Sequence, residues 1–165
     1  MNVILYADDE PDDVFFMRRA FEQAGIEQPL HTVHDGGEAI AYLSGQGQYT
    51  DRKLYPLPSL ILLDLNMPRS SGFDVLNWIR ATPALAALPV LVMSSSGQEC
   101  DIKCASLLGA NGYLVKPGKP EDLLGIVTAL KDQWLASACL GDKADVSIAD
   151  SPSRRHITIF KSPDN

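Results

Sequence analysis

SLILLDLNMP, residues 59–68, is the stretch that decides the fold of this chain. Its aliphatic run over 60–63 is uninterrupted, which is typical of a strand buried on both faces in a parallel sheet. The strand ends in a carboxylate, Asp64, and Pro68 cannot continue a sheet ladder. An acid in that position lies at the edge where open α/β sheets bind ligands. Taken alone, Asp64 could equally well start a turn.

Further strands and helices follow the same pattern on either side of this stretch. Short apolar runs predict strands at 3–7, 29–33, 89–93 and 111–115. Apolar residues at helical spacing predict helices from Pro11, from Asp35, over 72–80, over 99–108 and from Pro120, with a partly helical linker at 83–88. Five strands that alternate with five helices predict an α/β fold with a parallel sheet covered on both faces.

Composition narrows the class of protein. The chain has 165 residues, of which 45% are hydrophobic and 21% charged, as in an ordinary globular domain. Its net charge of −7 argues against a broad nucleic-acid-binding surface. No apolar run approaches the roughly 20 residues that span a bilayer, and the first residues turn acidic too soon for a signal peptide. We therefore expect no membrane segment and a cytoplasmic location.

Three cysteines do not suggest a disulfide framework, which supports a reducing compartment. Cys100 and Cys104 are one helical turn apart and could in principle bind a metal. Because neither His nor another Cys is near them, we interpret both as small hydrophobic side chains.

Two segments lie outside the repeating pattern. The loop at 45–58 is too long for an ordinary connection, and we interpret it as a surface excursion in which Tyr49 and Tyr55 contact a partner. One domain is predicted over 1–140, followed by a tail at 141–165 that is extended or partly disordered. Ile157 and Ile159 alternate in that tail as an edge strand would, but the tail is too short for an effector domain.

Charged and polar side chains follow four of the predicted strands. Asp8 and Asp9 end the first strand, Asp64 the third, Ser94 the fourth and Lys116 the fifth. Three carboxylates brought close together require a cation, and a few hard oxygen ligands are what Mg²⁺ prefers. The backbone carbonyl of Asn66 offers one more oxygen. The sequence therefore predicts a magnesium site at this edge of the sheet.

The same edge suits phosphoryl transfer. A lysine charge and a serine hydroxyl, from Lys116 and Ser94, both suit the non-bridging oxygens of a phosphoryl group. Asp64 is then the natural nucleophile, and its attack on phosphorus yields an aspartyl phosphate. By contrast, we interpret Asp12 and Asp13 only as acids that complement the positive end of the helix that Pro11 begins.

Four segments carry a family resemblance, namely YADDEPDD (6–13), LLDLNMPRSSGFDVL (62–76), PVLVMSSSG (89–97) and GANGYLVKP (109–117). Through them the chain resembles a response-regulator receiver domain over about residues 2–138. The resemblance implies a flavodoxin-like, doubly wound sheet in the order 2-1-3-4-5. Within that family the chain is similar to small single-domain regulators that partner phytochrome-like and other sensor histidine kinases.

The resemblance also implies a role for each matching residue. Asp64 would be the phosphoacceptor and Lys116 its phosphate partner, while Ser94 would be the switch hydroxyl and Tyr113 the aromatic that swings inward with it. Mg²⁺ would be held by Asp8, Asp9, Asp64 and the Asn66 carbonyl. A cis Lys116–Pro117 bond is expected. Two departures from the family are Gly118, where an aromatic or aliphatic residue is more common, and Ser rather than Thr at position 94.

The function implied is that of a phosphorylation-controlled signalling module, not a turnover enzyme. A histidine kinase or phosphotransfer protein would donate the phosphoryl group, and the surface of the fourth helix, fifth strand and fifth helix would then bind a partner or a second copy. One alternative is a receiver-like scaffold that binds partners without phosphotransfer. Another is a Mg²⁺-dependent phosphatase, which Asn66 disfavours because an amide cannot serve as a general acid.

Overall fold

A single sheet organises the structure, a computed structural model that describes residues 2–135 and 157–160. In chain order its strands are β1 (Ile4–Ala7), β2 (Leu30–Val33), β3 (Leu60–Asp64), β4 (Val90–Ser94), β5 (Gly112–Val115) and β6 (Ile157–Ile159). The order in the sheet is β2-β1-β3-β4-β5-β6, with β1 to β5 parallel and β6 antiparallel to β5. The predicted flavodoxin-like order 2-1-3-4-5 is confirmed, and β6 adds a sixth strand to the predicted five.

Five α-helices connect the strands in the part of the chain that the structure describes, as predicted. They are α1 (Pro11–Gln23), α2 (Gly36–Ser44), α3 (Gly72–Ala81), α4 (Glu99–Leu107) and α5 (Pro120–Leu130). Their starts follow local chemistry, since prolines begin α1 and α5, and the Asp35 side chain caps α2 by accepting from the Glu38 amide. Ser71 and Asp74 form a capping box at α3. The linker at 83–88, predicted to be partly helical, forms turns instead.

The core has two layers, one on each face of the sheet. Alternate strand residues point to opposite faces, so that Leu5 and Ala7 pack with α2, α3 and α4, while Ile4 and Tyr6 pack with α1 and α5. Burial of each large aliphatic side chain stabilises the fold by roughly 1.5–3 kcal/mol. Among the described residues, the buried polar side chains are those of Asp8, Asp64 and Ser94, which lie at the carboxyl ends of β1, β3 and β4.

The loop at 45–58 is folded onto α2. The Arg52 guanidinium donates to the carbonyls of Tyr42, Leu43 and Tyr55 at 2.7–3.1 Å, and the ring of Tyr49 lies 5.0 Å from that of Tyr42. Tyr49 is only 6% exposed. The prediction that Tyr49 contacts a partner is therefore wrong, because its ring is used inside the protein, whereas Tyr55 stays half-buried.

Strand β6 is the part of the predicted tail that the structure describes. Gly112 lets it lie close, because a Cβ on that residue would meet the Thr158 carbonyl oxygen at 3.0 Å. Residues 136–156 and 161–165, and with them the predicted boundary at 140, lie outside the described residues. Among the described helices, none combines the length and apolarity needed to cross a bilayer.

Candidate phosphoacceptor site

Three acids meet at the carboxyl end of the sheet. Asp8 follows β1 and is 0% exposed, Asp9 beside it is half-buried, and Asp64 at the end of β3 is 3% exposed. One oxygen of each lies within 4.8 Å of the others. Local backbone amides orient two of the side chains, since Glu10 donates to Asp8 Oδ1 at 3.0 Å and Asn66 donates to Asp64 Oδ1 at 3.2 Å. The remaining oxygens of Asp8 and Asp64 are left for other partners.

Lys116 provides the cation of the site. Its Nζ lies 2.7 Å from Asp8 Oδ2, 2.8 Å from Asp13 Oδ2 and 3.1 Å from Asp64 Oδ2. Its backbone amide donates to the Ser94 carbonyl at 2.8 Å, which ties the end of β5 to that of β4. Burial alone would lower the pKa of Lys116, but its hydrogen bonds to Asp13 and Asp8 and the charge on Asp64 outweigh it. The pKa therefore lies above its ordinary value, and the side chain is an ammonium.

Asp64 is under opposing influences. Burial raises its pKa, and the positive charge of Lys116 with the Asn66 amide works against that rise, leaving the pKa above the ordinary value of 3.8. A carboxylate that is poorly hydrated, fixed by an amide and beside an ammonium is a competent nucleophile toward an electrophilic phosphorus.

Tyr6 is a site residue that sequence reasoning missed. It lies in β1, is 1% exposed, and its phenol donates a hydrogen bond to Asp8 Oδ2. Burial and the neighbouring Asp8 carboxylate raise the pKa of Tyr6, so the phenol keeps its proton. The signal was available, because residues two apart in a strand share a face and Tyr6 precedes Asp8 by two.

Asp13 is a second residue whose part in the site was missed. The sequence favoured a role as helix N-terminal charge, and Asp13 does lie in the first turn of α1. Its carboxylate nevertheless lies against Lys116. The turn of helix that follows β1 directly is carried to the same edge as Asp8, which is the signal that could have indicated this contact.

Ser94 and Tyr113 are linked by hydrogen bonds to the backbone of Ser96. Ser94 is 0% exposed and its Oγ accepts from the Ser96 amide at 3.1 Å. The Tyr113 phenol donates to the Ser96 carbonyl at 2.8 Å, with its ring buried at 0% exposure. Ser96 Oγ in turn donates to Asp101 Oδ2 in the first turn of α4 at 2.7 Å. A hydrogen-bonded path thus joins the end of β4 to both β5 and α4.

Two expectations concern the loops around the site. Asn66 is exposed, and its role as a carbonyl ligand stays a prediction. The expected cis Lys116–Pro117 bond is wrong, because none of the peptide bonds described is cis. The trans form is the intrinsically favoured isomer of such a bond by about 0.5–1 kcal/mol, and Lys116 reaches the carboxylates with it.

The donor set fits a hard divalent cation. Asp8, Asp9 and Asp64 offer oxygen atoms only, which suit Mg²⁺, Mn²⁺ or Ca²⁺ better than softer metals. Nucleophile, ammonium and hydroxyl lie around the same edge of the sheet. This arrangement can accept a phosphoryl group on Asp64 and bind its oxygens.

Comparisons with known proteins agree with the fold and identify the family. The family model for the response regulator receiver domain matches residues 4–128. The response regulator Rcp1 of Synechocystis is 35% identical over 138 residues, covering 84% of this chain and 92% of Rcp1. The Mn²⁺-bound structure of Rcp1 superposes with a TM-score of 0.74, covering 82% of this chain and 95% of that one.

Two further solved structures are similar over most of their length. The response regulator RPA3017, from red light signalling in R. palustris, has a TM-score of 0.78 and 32% identity, covering 82% of this chain and 94% of that one. The phosphorylated cyanobacterial phytochrome response regulator RcpA has a TM-score of 0.75 and 33% identity, covering 83% and 96%. The predicted resemblance is confirmed. This chain belongs to the response regulator receiver domain family.

Proposed function

We propose that Asp64 accepts a phosphoryl group from a histidine kinase or a phosphotransfer protein, and that the resulting aspartyl phosphate switches a partner-binding surface. The observation that carries this proposal is the contact of Lys116 Nζ with Asp64 Oδ2 at 3.1 Å beside the buried Asp8. An ammonium beside a buried acid at a strand end both orients the nucleophile and receives the phosphoryl oxygens. The phosphorylated form of the relative RcpA supports this assignment.

The transfer itself needs few groups. An oxygen of Asp64 forms a bond to phosphorus while the bond from phosphorus to the donor's leaving atom breaks, and that atom keeps the electron pair. Lys116 then donates to a phosphoryl oxygen, and the hydroxyl of Ser94 turns from the Ser96 amide toward another. Because the Ser96 carbonyl holds the Tyr113 phenol, a shift of this segment moves Tyr113 and the start of α4 together.

Asp8, Asp9, Asp64 and the Asn66 carbonyl would hold Mg²⁺. When bound, the ion neutralises negative charge on the phosphoryl oxygens. The three carboxylates and their mutual distances support a divalent ion, and the Mn²⁺-bound form of Rcp1 supports the same class of metal. The protein's own residues do the rest, because they orient the Asp64 carboxylate and supply the positive charge of Lys116.

The surface that responds comprises α4, β5 and α5. Leu107 on α4 is 88% exposed and offers a large apolar side chain to a partner at this surface. The edge of β5 that does not face β4 is paired with β6, so the surface would include β6 as well. A protein partner or a second copy of the chain is the expected occupant, in the cytoplasm where such kinases act. Turnover of external substrates is not expected, since Asn66 is no general acid.

Intact-protein mass spectrometry tests the proposal. Wild-type protein incubated with Mg²⁺ and acetyl phosphate should gain one phosphoryl group, Asp64→Asn should gain none, and excess chelator should suppress the gain. Asp12→Asn, which removes an exposed acid from the same edge, is the matched control and should react as wild type does. No adduct despite confirmed Mg²⁺ binding would favour the scaffold, and steady phosphate release from many donors would favour the phosphatase.

A further inference from the structure

We infer that Asp13 is a positioning residue that holds the Lys116 ammonium at the phosphoacceptor. The inference rests on the proposed role of Asp64. An ammonium has three N–H donors, and the three of Lys116 are directed to three carboxylates, those of Asp8, Asp13 and Asp64. Asp13 is the one of these acids that is neither the predicted nucleophile nor a predicted metal ligand.

The distances indicate which hydrogen bond of Lys116 is exchanged when Asp64 is phosphorylated. The contact of Nζ with Asp64 is the longest of the three, at 3.1 Å, against 2.8 Å for Asp13. When Asp64 carries a phosphoryl group, the N–H directed at its carboxylate is the one that passes to a phosphoryl oxygen. Asp13 keeps its own N–H throughout, so it anchors the ammonium while the third bond is exchanged.

The surroundings of Lys116 explain why an anchor is needed. A cavity of about 150 Å³ lies beside Lys116 and is lined by Asp13, Phe16, Met17 and Leu123 among others. An ammonium without Asp13 has room to swing into this space. At Gly118, in the loop that follows, no side chain fills the space either, since a Cβ built there would touch nothing within 4 Å. Lys116 and Asp13 both line this cavity, and Asp13 is the acid among its lining residues that binds the ammonium.

A simpler role for Asp13 is to stabilise α1 through the charge of its first turn. Asp12 shares that turn, is exposed, and serves as the matched control. If Asp13 acts only through the helix, removing either acid has the same effect. If it acts through Lys116, only its own removal changes the ammonium.

The test measures Lys116 directly and phosphorylation separately. Nitrogen-edited NMR of lysine ammonium groups, assigned with Lys116→Arg, is recorded for wild type, Asp13→Ala, Asp13→Asn and Asp12→Ala. The Lys116 signal should be sharp in wild type, because Nζ is ion-paired and the side chain is 15% exposed, and it should broaden through exchange with water in Asp13→Ala. Asp13→Asn keeps an acceptor oxygen and should retain the signal, as should Asp12→Ala.

Phosphorylation by acetyl phosphate should slow in Asp13→Ala by roughly two- to tenfold in its maximal rate, with the half-saturating donor concentration unchanged, since a part-exposed ion pair is worth little but its geometry matters. Asp13→Asn should recover part of that rate. Three results would overturn the inference. The Lys116 signal could stay unchanged in Asp13→Ala, or Asp12→Ala could have the same effects as Asp13→Ala. The third is a Lys116 signal that is lost in Asp13→Ala while the rate of phosphorylation stays the same. If even wild type gains no phosphoryl group, the proposed function fails, and the ammonium spectra still decide whether Asp13 holds Lys116.

Discussion

The phenol of Tyr6 donates a hydrogen bond to the carboxylate of Asp8, and both side chains are almost fully buried. Asp8 Oδ2 therefore accepts from two donors, the Tyr6 phenol and the Lys116 ammonium. A buried carboxylate is tolerated only when its oxygens are satisfied in this way. Tyr6 therefore belongs both to the core and to the acidic site, because its ring packs with α1 and α5 and its phenol binds Asp8.

Tyr6→Phe should lower the free energy of unfolding by about 1–2 kcal/mol, the effect of removing one donor from a buried charged acceptor that keeps another. Urea unfolding monitored by circular dichroism, without divalent metal, measures it. Tyr55→Phe is the control, because Tyr55 is half-buried in the loop at 45–58 and away from the acids. Equal losses in the two variants would mean that the bond to Asp8 contributes nothing specific.

Asp64→Asn should stabilise the metal-free protein at neutral pH by on the order of 1 kcal/mol, because it removes one of several crowded buried charges. Burial raises the pKa of Asp64, so the folded chain holds that proton more tightly than the unfolded chain does. Ionisation therefore costs stability as the pH rises from the ordinary value of 3.8 through the raised pKa, and the cost is complete above it.

Thermal unfolding as a function of pH measures this effect. The gap in stability between Asp64→Asn and wild type should be largest at neutral pH and should close as the pH falls through the raised pKa of Asp64 toward 3.8. Ser95→Ala, at an exposed position with no titratable side chain, is the control and should show no such pH-dependent gap. A gap that widens on acidification would contradict the assigned direction.

Ser96→Ala should loosen the start of α4. The variant removes the hydroxyl that bonds Asp101 Oδ2 at 2.7 Å, a charge-assisted bond worth about 1 kcal/mol when partly exposed. Amide hydrogen exchange of the first turn of α4 should then speed up roughly three- to tenfold, while the core strands exchange as before. Ser95→Ala, at the exposed neighbour, is the control and should leave these amides unchanged.

Gly72→Ala should destabilise the protein and displace the backbone of Asp64. A Cβ at Gly72 would lie 2.2 Å from the backbone oxygen of Asp64, so α3 and the end of β3 must move apart. We expect a loss of at least about 1–3 kcal/mol in unfolding free energy and slower phosphorylation, since overpacking against backbone is hard to relieve. Gly118→Ala, where there is open space, should change stability by less than about 0.5 kcal/mol. Similar losses in both would show that the close approach is not the cause.

The sequence predicted those parts of the fold that depend on local pattern. The aliphatic run before Asp64 and the acids after β1 identified the sheet edge, because strand burial and strand ends are properties of neighbouring residues. Asp35 as a helix start was found in the same way, and the structure confirms its cap.

The features that could not be predicted are contacts between residues that are far apart in the sequence. Asp13 carries a second role only because the first turn of α1 reaches the end of β5, and no local pattern encodes that distance. The same holds for Arg52, which folds the loop at 45–58 by donating to three carbonyls that the sequence gives no reason to group. The assignments of Asp64, Ser94 and Lys116 to their chemical roles stay predictions that the experiments above decide.

Strand β6 also offers a position for a probe that reports whether the protein is phosphorylated. Thr158 is exposed and pairs across the strands with Tyr113, the residue expected to move with the switch hydroxyl. A fluorescent label on Thr158→Cys, in a variant whose natural cysteines are replaced, would lie one strand away from that ring, on a strand that carries none of the acids, Lys116 or Ser94. Phosphorylation could then be followed in real time as a change in the label's emission, with the catalytic edge of the sheet left in its native form.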